Sequence, residues 1–301
     1  MTATPPAFDR RVVPARPDLA TAHLEGVHPA ERYVAGTAMR VVAGRAAMRG
    51  RPEAAASMTS ELVFGEDVTI YEVKDGWAWG QAAHDGYVGY MAAADLGTAS
   101  GLAPTHRLGV ALSHLYPAAD LKQPPRLNLP MGARLAVVET RGRWHRLDPG
   151  AGLAQGDDLW VPAPHVTPLG AVAPDFVGVA LALRGVPYLW GGRTPLGLDC
   201  SGLVQLVLAG AGIAAPRDSD QQAAALGTAI DEGARLQRGD VVFFPGHVGL
   251  MVDGDHLVHA NAFAMAVSVD PLAEVVARVA AEIGPDRAPV TARRRLSAPA
   301  Y

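Results

Sequence analysis

The chain has 301 residues, of which 49% are hydrophobic and 19% charged, and its formal net charge is -4. This balance is that of an ordinary globular protein of two or three domains, and it excludes the clustered basic face of a nucleic-acid-binding protein. The N-terminal segment has no apolar stretch of the secretory type, and no run reaches the ~18 apolar residues that span a bilayer. These features predict a cytoplasmic protein without a membrane segment.

Two consecutive regions of β-like texture follow an irregular start. Residues 1–32 are rich in Pro, Ala and Arg and predict an irregular leader. Residues 33–97 hold short alternating runs, with tight-turn pairs at Asp75-Gly76 and Asp85-Gly86, and predict a small β-barrel. Residues 98–168 predict a second one, because "GARLAVVETRGRWHRLD" aligns with "GEDVTIYEVKDGWAWGQ" as strand, turn, Trp and strand.

Residues 169–301 change to an α+β pattern. Pro174 and Gly185 bracket a first helix, and "CSGLVQLVLAGAG" predicts a second. The runs "DVVFF", "HVGLMV" and "HLVHA" predict successive strands. A third helix is expected in "DPLAEVVARVAAEIG", with Asp270 as its N-cap and Pro271 as its first helical residue.

Cys200 is the single cysteine of the chain, so it forms no internal disulfide. With Asp199 as N-cap it falls in the first turn of a helix, where free backbone N–H groups and the helix dipole predict a stabilised thiolate. The alternative is a small core residue. The small neighbours Ser201 and Gly202 favour an open cleft instead.

A nucleophilic cysteine needs a base, and the best candidates lie on one predicted hairpin. If "HVGLMV" and "HLVHA" pair through a three-residue loop, Gly249 faces His259 and His247 lies diagonally on the same side of the sheet. His247 is therefore the candidate base and His259 the residue that orients it, whereas His256 in the turn is expected to be solvated. A zinc site is not expected, because no close Cys/His ligand pair of finger type is present.

Six segments in this region resemble, in order, the markers of the NlpC/p60 family of papain-like cell-wall cysteine peptidases. They are "YLWGG", "LDCSGLV", "RDSDQQ", "GDVVFF", "HVGLMV" and "HAN". The resemblance covers about residues 171–300 and implies a papain-like C-terminal domain. The two small barrels resemble the tandem bacterial SH3-like modules of a cytoplasmic-type subgroup that trims peptidoglycan fragments.

The resemblance implies hydrolysis of the bond between γ-D-glutamate and the next diamino acid of a stem peptide, without metal or organic cofactor. The expected substrate is a soluble peptide such as L-Ala-γ-D-Glu-diaminopimelate, during recycling of wall peptides. Cys200 would be the nucleophile, His247 the general base and His259 the orienting residue. The amide of Cys200 and the hydroxyl of Tyr188 would stabilise the oxyanion, and Trp190 would line the cleft.

The subgroup also implies a closed subsite for a free N-terminal L-Ala, whose ammonium requires a carboxylate partner. In this sequence the matching positions are Ser201, Asp218 with Arg217 beside it, and, from the first barrel, Glu61 and Tyr87, with Tyr90 as the next choice. The apolar "AFAMAVSV" stretch after "HAN" is less polar than a cleft wall should be. It leaves the shape of the diamino-acid side open.

Two other hypotheses remain at this stage. The barrels could bind peptidoglycan while the C-terminal domain is inert, although the complete set of Cys200, His247 and His259 argues against that. Alternatively, a papain-like domain could transfer acyl groups or open another amide. The identity of the diamino acid and the oligomeric state do not follow from the sequence.

Overall fold

The computed structural model describes residues 8–99, 101–148 and 158–296. Four stretches of the predicted domains therefore lie outside the described residues: 1–7 of the leader, residue 100 and residues 149–157 of the second barrel, and 297–301 of the last domain. The chain divides into two compact units, the first ending at Leu169 and the second beginning at Gly170. The finer boundaries at 32/33 and 97/98 stay predictions.

The first unit begins with a short parallel pair, β1 (Ala20–Thr21) and β2 (Tyr33–Val34). An antiparallel seven-stranded sheet follows, in the order β5-β4-β8-β7-β6-β3-β9. Its strands are β3 (Thr37–Val41), β4 (Arg45–Arg49), β5 (Met58–Val63), β6 (Asp67–Lys74), β7 (Trp77–Ala82), β8 (Val88–Ala92) and β9 (Leu96–Thr98).

The sequence predicted the β6–β7 hairpin but not β4. Asp75 and Gly76 both have positive φ, of 49° and 80°, which is the backbone of the tight turn expected there. The strand β4 was missed because its alanines have low β-propensity, although Ala46 and Met48 alternate into the core.

In the residues that the structure describes, the second half of this unit contains eight shorter strands in three small sheets. They are β10 (His106–Leu108), β11 (Leu112–Leu115), β12 (Leu127–Pro130), β13 (Arg134–Leu135), β14 (Val137–Arg141), β15 (Trp144–Leu147), β16 (Trp160–Pro162) and β17 (Val166–Pro168). The β14–β15 hairpin matches β6–β7 as the repeat predicts: each pair contains a register shift, and Trp144 and Trp77 each begin the second strand. Both halves also end in a 3₁₀ turn and a short strand, with turns at Ala93–Asp95 and Ala163–His165.

Phe64 connects these two halves. It follows β5 in the chain, yet its buried side chain belongs to the core of the second half with Leu108, Leu129 and Val161. Its carbonyl accepts a hydrogen bond from the Arg134 backbone N–H at 2.7 Å. At the next residue a Cβ would lie 1.9 Å from the Arg134 carbonyl oxygen, so only glycine fits.

The second unit is α+β, which confirms the predicted fold class. Its six-stranded sheet has the order β20-β25-β21-β22-β23-β24. In chain order the elements are α1 (Phe176–Ala182), β18 (Arg193–Thr194), β19 (Gly197–Leu198), α2 (Cys200–Gly210), α3 (Ser219–Ala225), β20 (Thr228–Ala229), β21 (Val241–Phe244), β22 (His247–Met251), β23 (His256–Asn261), β24 (Ala266–Pro271), α4 (Leu272–Ile283) and β25 (Ala292–Arg295).

Two apolar cores hold helices on opposite faces of this sheet. On one face α1 and α2 pack against alternate strand residues such as Val248, Leu250 and Val258. On the other face Val275 of α4 packs with Met251 and its neighbours. The strand side chains of these two sets alternate, so the central strands β21, β22 and β23 are buried on both faces. Among the described residues, no helix has the length and hydropathy needed to cross a membrane.

Two local predictions in this unit need correction. Pro174 does not open α1, because Asp175 is the cap and accepts a hydrogen bond from the Gly178 backbone N–H at 2.9 Å. Asp270 does not cap α4 either: Asp270 and Pro271 are the last residues of β24, paired with Leu257 and His256. Pro271 is extended, with ψ of 129°, and the helix begins one residue later.

Candidate active site

Cys200 is the first residue of α2, as predicted, and Asp199 is the cap. The Asp199 carboxylate accepts from the Gly202 backbone N–H at 2.7 Å and from the Gly191 backbone N–H at 2.9 Å. A Cβ at residue 202 would lie 2.1 Å from the Gly192 carbonyl oxygen. Glycine at 202 therefore lets the preceding loop pack directly on the start of the helix.

Arg217 also binds the Asp199 carboxylate. This guanidinium is 1% exposed and donates to both Asp199 oxygens, at 3.0 Å and 2.6 Å, and to the Ser201 hydroxyl at 2.9 Å. Gln222 of α3, fully buried, donates to the Ser201 carbonyl at 3.0 Å. We call Asp199, Ser201 and Arg217 the helix side of the thiol. Sequence reasoning missed this pairing, since the partners lie 18 positions apart.

The Cys200 thiol is buried, and its protonation differs from the prediction. Burial and the neighbouring Asp199 carboxylate raise the pKa of the thiol to about 12. Backbone N–H groups of Val248 and Ser201, together with Arg217, act in the opposite direction without overcoming them. The predicted position at the helix start is right, whereas the predicted lowering of the pKa is wrong. The hydrogen bond from Val248 also places the sulfur beside the first residues of β22.

The hairpin of β22 and β23 has the predicted register. Leu250 pairs with Val258 and Met251 with Leu257, which sets Gly249 opposite His259. His247 Nε2 and His259 Nδ1 lie 2.7 Å apart, a hydrogen bond between the two rings. A Cβ at residue 249 would approach the His259 Cβ to 3.0 Å, so this glycine leaves room for the ring pair.

Both histidines are neutral at neutral pH. Desolvation, with the nearby charges of His259 and Arg278, lowers the pKa of His247 to about 3. Desolvation also lowers the pKa of His259, and the opposing effect of Asp270 does not overcome it. A neutral imidazole can accept a proton from a protonated thiol, so these two protonation states suit general-base chemistry.

Asp270 completes a line of three side chains that the sequence did not predict. Its Oδ2 lies 2.8 Å from His259 Nε2 and accepts from the Ser268 hydroxyl at 2.9 Å. We call His247, His259 and Asp270 the strand side of the thiol. Asp-Pro ahead of an apolar period looks locally like a helix cap, and only the strand pairing distinguishes the two.

Two known families match parts of this chain. The NlpC/P60 family matches residues 185–279, which include Cys200, His247 and His259, and the bacterial dipeptidyl-peptidase SH3 domain matches residues 48–96. The chain carries an NlpC/P60 domain preceded by a bacterial dipeptidyl-peptidase SH3 domain. This family is one of peptidases of the cysteine class.

Relatives extend across both domains. A dipeptidyl-peptidase 6 of Lysinibacillus sphaericus is 28% identical, over 78% of this chain and 91% of its own length. A gamma-D-glutamyl-L-lysine dipeptidyl-peptidase of Bacillus cereus is 25% identical, over 71% of each chain. The crystal structure of an NlpC/P60 family protein from Bacillus cereus has the same fold, with a TM-score of 0.72 at 19% identity, over 86% of this chain and 99% of that one.

Within the NlpC/P60 domain, Tyr188 and Trp190 precede the glycine pair that packs on α2. Tyr188 is half-buried, and burial together with Cys200 and Asp199 raises the pKa of its hydroxyl to about 12. The Tyr188 hydroxyl therefore keeps its proton at neutral pH, and its pKa is sensitive to the charge of Cys200. Trp190 is 66% exposed and does not pack in the core.

Asp218 stands just before α3 of the NlpC/P60 domain, partly buried, and its side chain does not cap that helix. The two candidates from the SH3 domain belong to the first unit. Glu61 is buried and accepts from Arg45 at 2.8 Å, and Tyr87 is buried in the core of its own sheet. The hydroxyl of Tyr90 accepts from Arg16 at 3.0 Å. Contact of these side chains with a substrate stays a prediction.

Metal ligation receives no support in the part of the chain that the structure describes, where no three His, Cys, Asp or Glu side chains gather as a metal cluster. His256 lies on the exposed turn of the hairpin, 3.1 Å from Asp253. After Asn261, Phe263 is 78% exposed and contacts the Arg278 guanidinium, with 4.2 Å from Cζ to the ring centroid. The apolar stretch noted in the sequence thus forms an exposed turn and β24.

Proposed function

We propose that this protein is a cysteine endopeptidase that hydrolyses the γ-D-glutamyl–diamino acid bond of peptidoglycan stem peptides with a free N-terminal L-Ala. In this proposal Cys200 is the nucleophile, His247 the general base and His259 the residue that orients it. The observation that carries it is the 2.7 Å contact between the imidazoles of His247 in β22 and His259 in β23, together with the hydrogen bond from Val248, the residue after His247, to the thiol.

The reaction begins from neutral groups. Because the pKa of Cys200 is raised and that of His247 is lowered, a thiol faces a neutral imidazole in the resting enzyme. His247 takes the thiol proton as the sulfur attacks the carbonyl carbon, and the resulting imidazolium protonates the departing amine. A thioester between Cys200 and the glutamyl carbonyl remains, and water deprotonated by His247 hydrolyses it.

The start of α2 is suited to the charge that develops on the carbonyl oxygen. The Cys200 backbone N–H is one of the first amides of the helix and has no partner within it. The protonated Tyr188 hydroxyl is the second proposed donor. Loss of one such donor costs about 3 kcal/mol of transition-state stabilisation in comparable sites.

The substrate class rests on the relatives and on charge. One relative is named a gamma-D-glutamyl-L-lysine dipeptidyl-peptidase, so the same bond is proposed here. A free L-Ala ammonium needs carboxylate and hydroxyl partners, for which Asp218 and Ser201 of the second unit are proposed, with Arg217 holding Ser201 in place. Peptides with a free L-Ala arise when wall fragments are degraded, hence the proposed role in recycling.

Mass spectrometry of four incubations tests this proposal. The full chain is mixed with L-Ala-γ-D-Glu-diaminopimelate, with the same peptide ending in L-Lys, and with each peptide carrying N-acetylmuramate on its alanine. Cys200→Ala is the control. Cleavage of the free-amine peptides alone, lost in Cys200→Ala, supports the proposal. Cleavage of the blocked peptides at equal rate removes the free-amine specificity, and no cleavage of any peptide removes the proposed function.

A further inference from the structure

The Asp270 carboxylate, at the end of β24, lies behind the two histidines and away from the thiol. Its Oδ2 receives His259 Nε2 at 2.8 Å and the Ser268 hydroxyl at 2.9 Å, and Arg278 of α4 lies 3.4 Å away. Partial burial raises the pKa of Asp270, but the hydrogen bonds from His259 and Ser268 and the Arg278 charge bring it below its ordinary value. Asp270 is thus ionised at neutral pH and can only accept.

A backbone amide fixes the direction of the hydrogen bonds that reach this carboxylate. The Ala264 backbone N–H donates to Asn261 Oδ1 at 2.8 Å. The Asn261 amide nitrogen therefore donates to the Ser268 oxygen, also at 2.8 Å. Ser268 is left with its own proton for Asp270. Because the ionised Asp270 carboxylate carries no proton, each group at Oδ2 must be a donor, and His259 Nε2 therefore donates as well.

The same direction continues through both imidazoles. A neutral His259 that holds its proton on Nε2 has an unprotonated Nδ1, which accepts from His247 Nε2 at 2.7 Å. A neutral His247 with its proton on Nε2 has an unprotonated Nδ1. That nitrogen is the one free to receive a proton.

We propose that Asp270 is a positioning residue that sets the tautomer of both histidines, so that His247 presents an unprotonated Nδ1 to the thiol. This inference rests on the proposed function for the role of His247 but not for the tautomers themselves. Without an acceptor at residue 270, His259 can hold its proton on Nδ1 and donate to His247 Nε2. His247 then carries its proton on Nδ1 and cannot act as the base.

Three variants separate this role from a purely structural one. Asp270→Leu removes the acceptor at similar volume, while Asp270→Asn can place its amide oxygen where Oδ2 stands and receive both donors. Asp253→Asn is the matched control, because Asp253 contacts His256 at 3.1 Å on the exposed turn of the same hairpin. We expect Asp270→Leu to lower kcat about 10³-fold with little change in KM, Asp270→Asn to retain activity within about tenfold, and Asp253→Asn to leave it unchanged.

Nitrogen-15 NMR of histidine-labelled protein supplies the readout that a structural role would not move. In the unmodified protein both His247 and His259 are expected as Nε2–H tautomers, and in Asp270→Leu the Nδ1–H form of both should grow. An Nδ1–H form of His259 in the unmodified protein overturns the proposal without any variant. So does a loss of kcat in Asp270→Leu with unchanged tautomers, or a tautomer change with unchanged kcat.

A substrate-independent measurement distinguishes this proposal from the proposed function. Cys200 is the only thiol, so the rate of alkylation by iodoacetamide reports on it alone. If the unmodified protein cleaves none of the peptides yet alkylation slows at least tenfold in Asp270→Leu and not in Asp270→Asn, the positioning role stands and the peptide assignment fails. If the unmodified protein, Asp270→Leu and Asp270→Asn are alkylated at the same rate, the positioning role fails whatever the peptides show.

Discussion

The two sides of the Cys200 thiol are built from the same kinds of charged groups but are used differently. On the helix side, the Asp199 carboxylate is matched by a buried guanidinium, a hydroxyl and two backbone amides, none of which changes protonation near neutral pH. On the strand side, Asp270 meets histidines, which exchange protons in that range. The helix side therefore holds the start of α2 in place, and the strand side is where the proposed proton transfer would occur.

The largest effect is expected on the strand side, from His247→Ala. Removing the base should lower kcat at least 10³-fold, while the free energy of unfolding changes by no more than about 1 kcal/mol because the ring is only partly buried. Peptide cleavage rates and urea unfolding of the full chain check the two halves of this expectation. If His247→Ala instead lowered the free energy of unfolding by several kcal/mol, His247 would have a structural role like that of the helix side.

On the helix side, Arg217→Leu should instead destabilise the protein. The change leaves the buried Asp199 carboxylate without its counter-ion, which costs about 3–5 kcal/mol in comparable buried pairs. Arg238→Leu is the control, since one Arg238 nitrogen lies 2.9 Å from both Asp175 carboxylate oxygens, but on the exposed surface. That variant should lose no more than about 1 kcal/mol. Equal losses in urea unfolding would mean that the burial of Arg217 does not matter.

Two glycines of α2 test how tightly the start of this helix is packed. Gly202→Ala places a methyl 2.1 Å from the Gly192 carbonyl oxygen, so the loop must shift, at a cost of about 2 kcal/mol and with loss of activity. Gly210→Ala meets nothing within 4 Å in the last turn and should stabilise the helix by about 0.5–1 kcal/mol. Thermal unfolding and cleavage assays of both variants check this contrast, which fails if the two behave alike.

The last effect appears only at acid pH. The pKa of His247 falls from an ordinary 6.5 to about 3 in the folded protein, so the unfolded chain binds a proton there first. Its stabilising contribution is complete above pH 6.5 and is lost as the pH falls toward 3, by at most about 1.4 kcal/mol per pH unit. Unfolding of wild type and His247→Gln between pH 7 and 4 should show the wild type losing stability faster. Parallel curves would contradict the lowered pKa.

Features that depend on residues close together in the sequence could be predicted, whereas features that depend on distant segments could not. The Asp199 cap and the register that brings His247 to His259 depend on a few adjacent residues, and both predictions are confirmed. The raised pKa of Cys200 depends on burial by distant segments, and the local helix-start argument gave the wrong direction. The prediction that Asp270 caps a helix was wrong for a related reason, because pairing of β24 with β23 overrides the local cap pattern.

Phe64 has a consequence for the order in which the chain folds during synthesis. Its core partners Leu159 and Val161 follow it by about 100 residues, so at ~5–20 residues per second the ribosome needs ~5–20 s to supply them. Until they emerge, the core around Phe64 is incomplete and contains only partners made earlier, such as Leu108 and Leu129. A pause of synthesis between Leu129 and Leu159 would therefore leave apolar surface of this core exposed to chaperones.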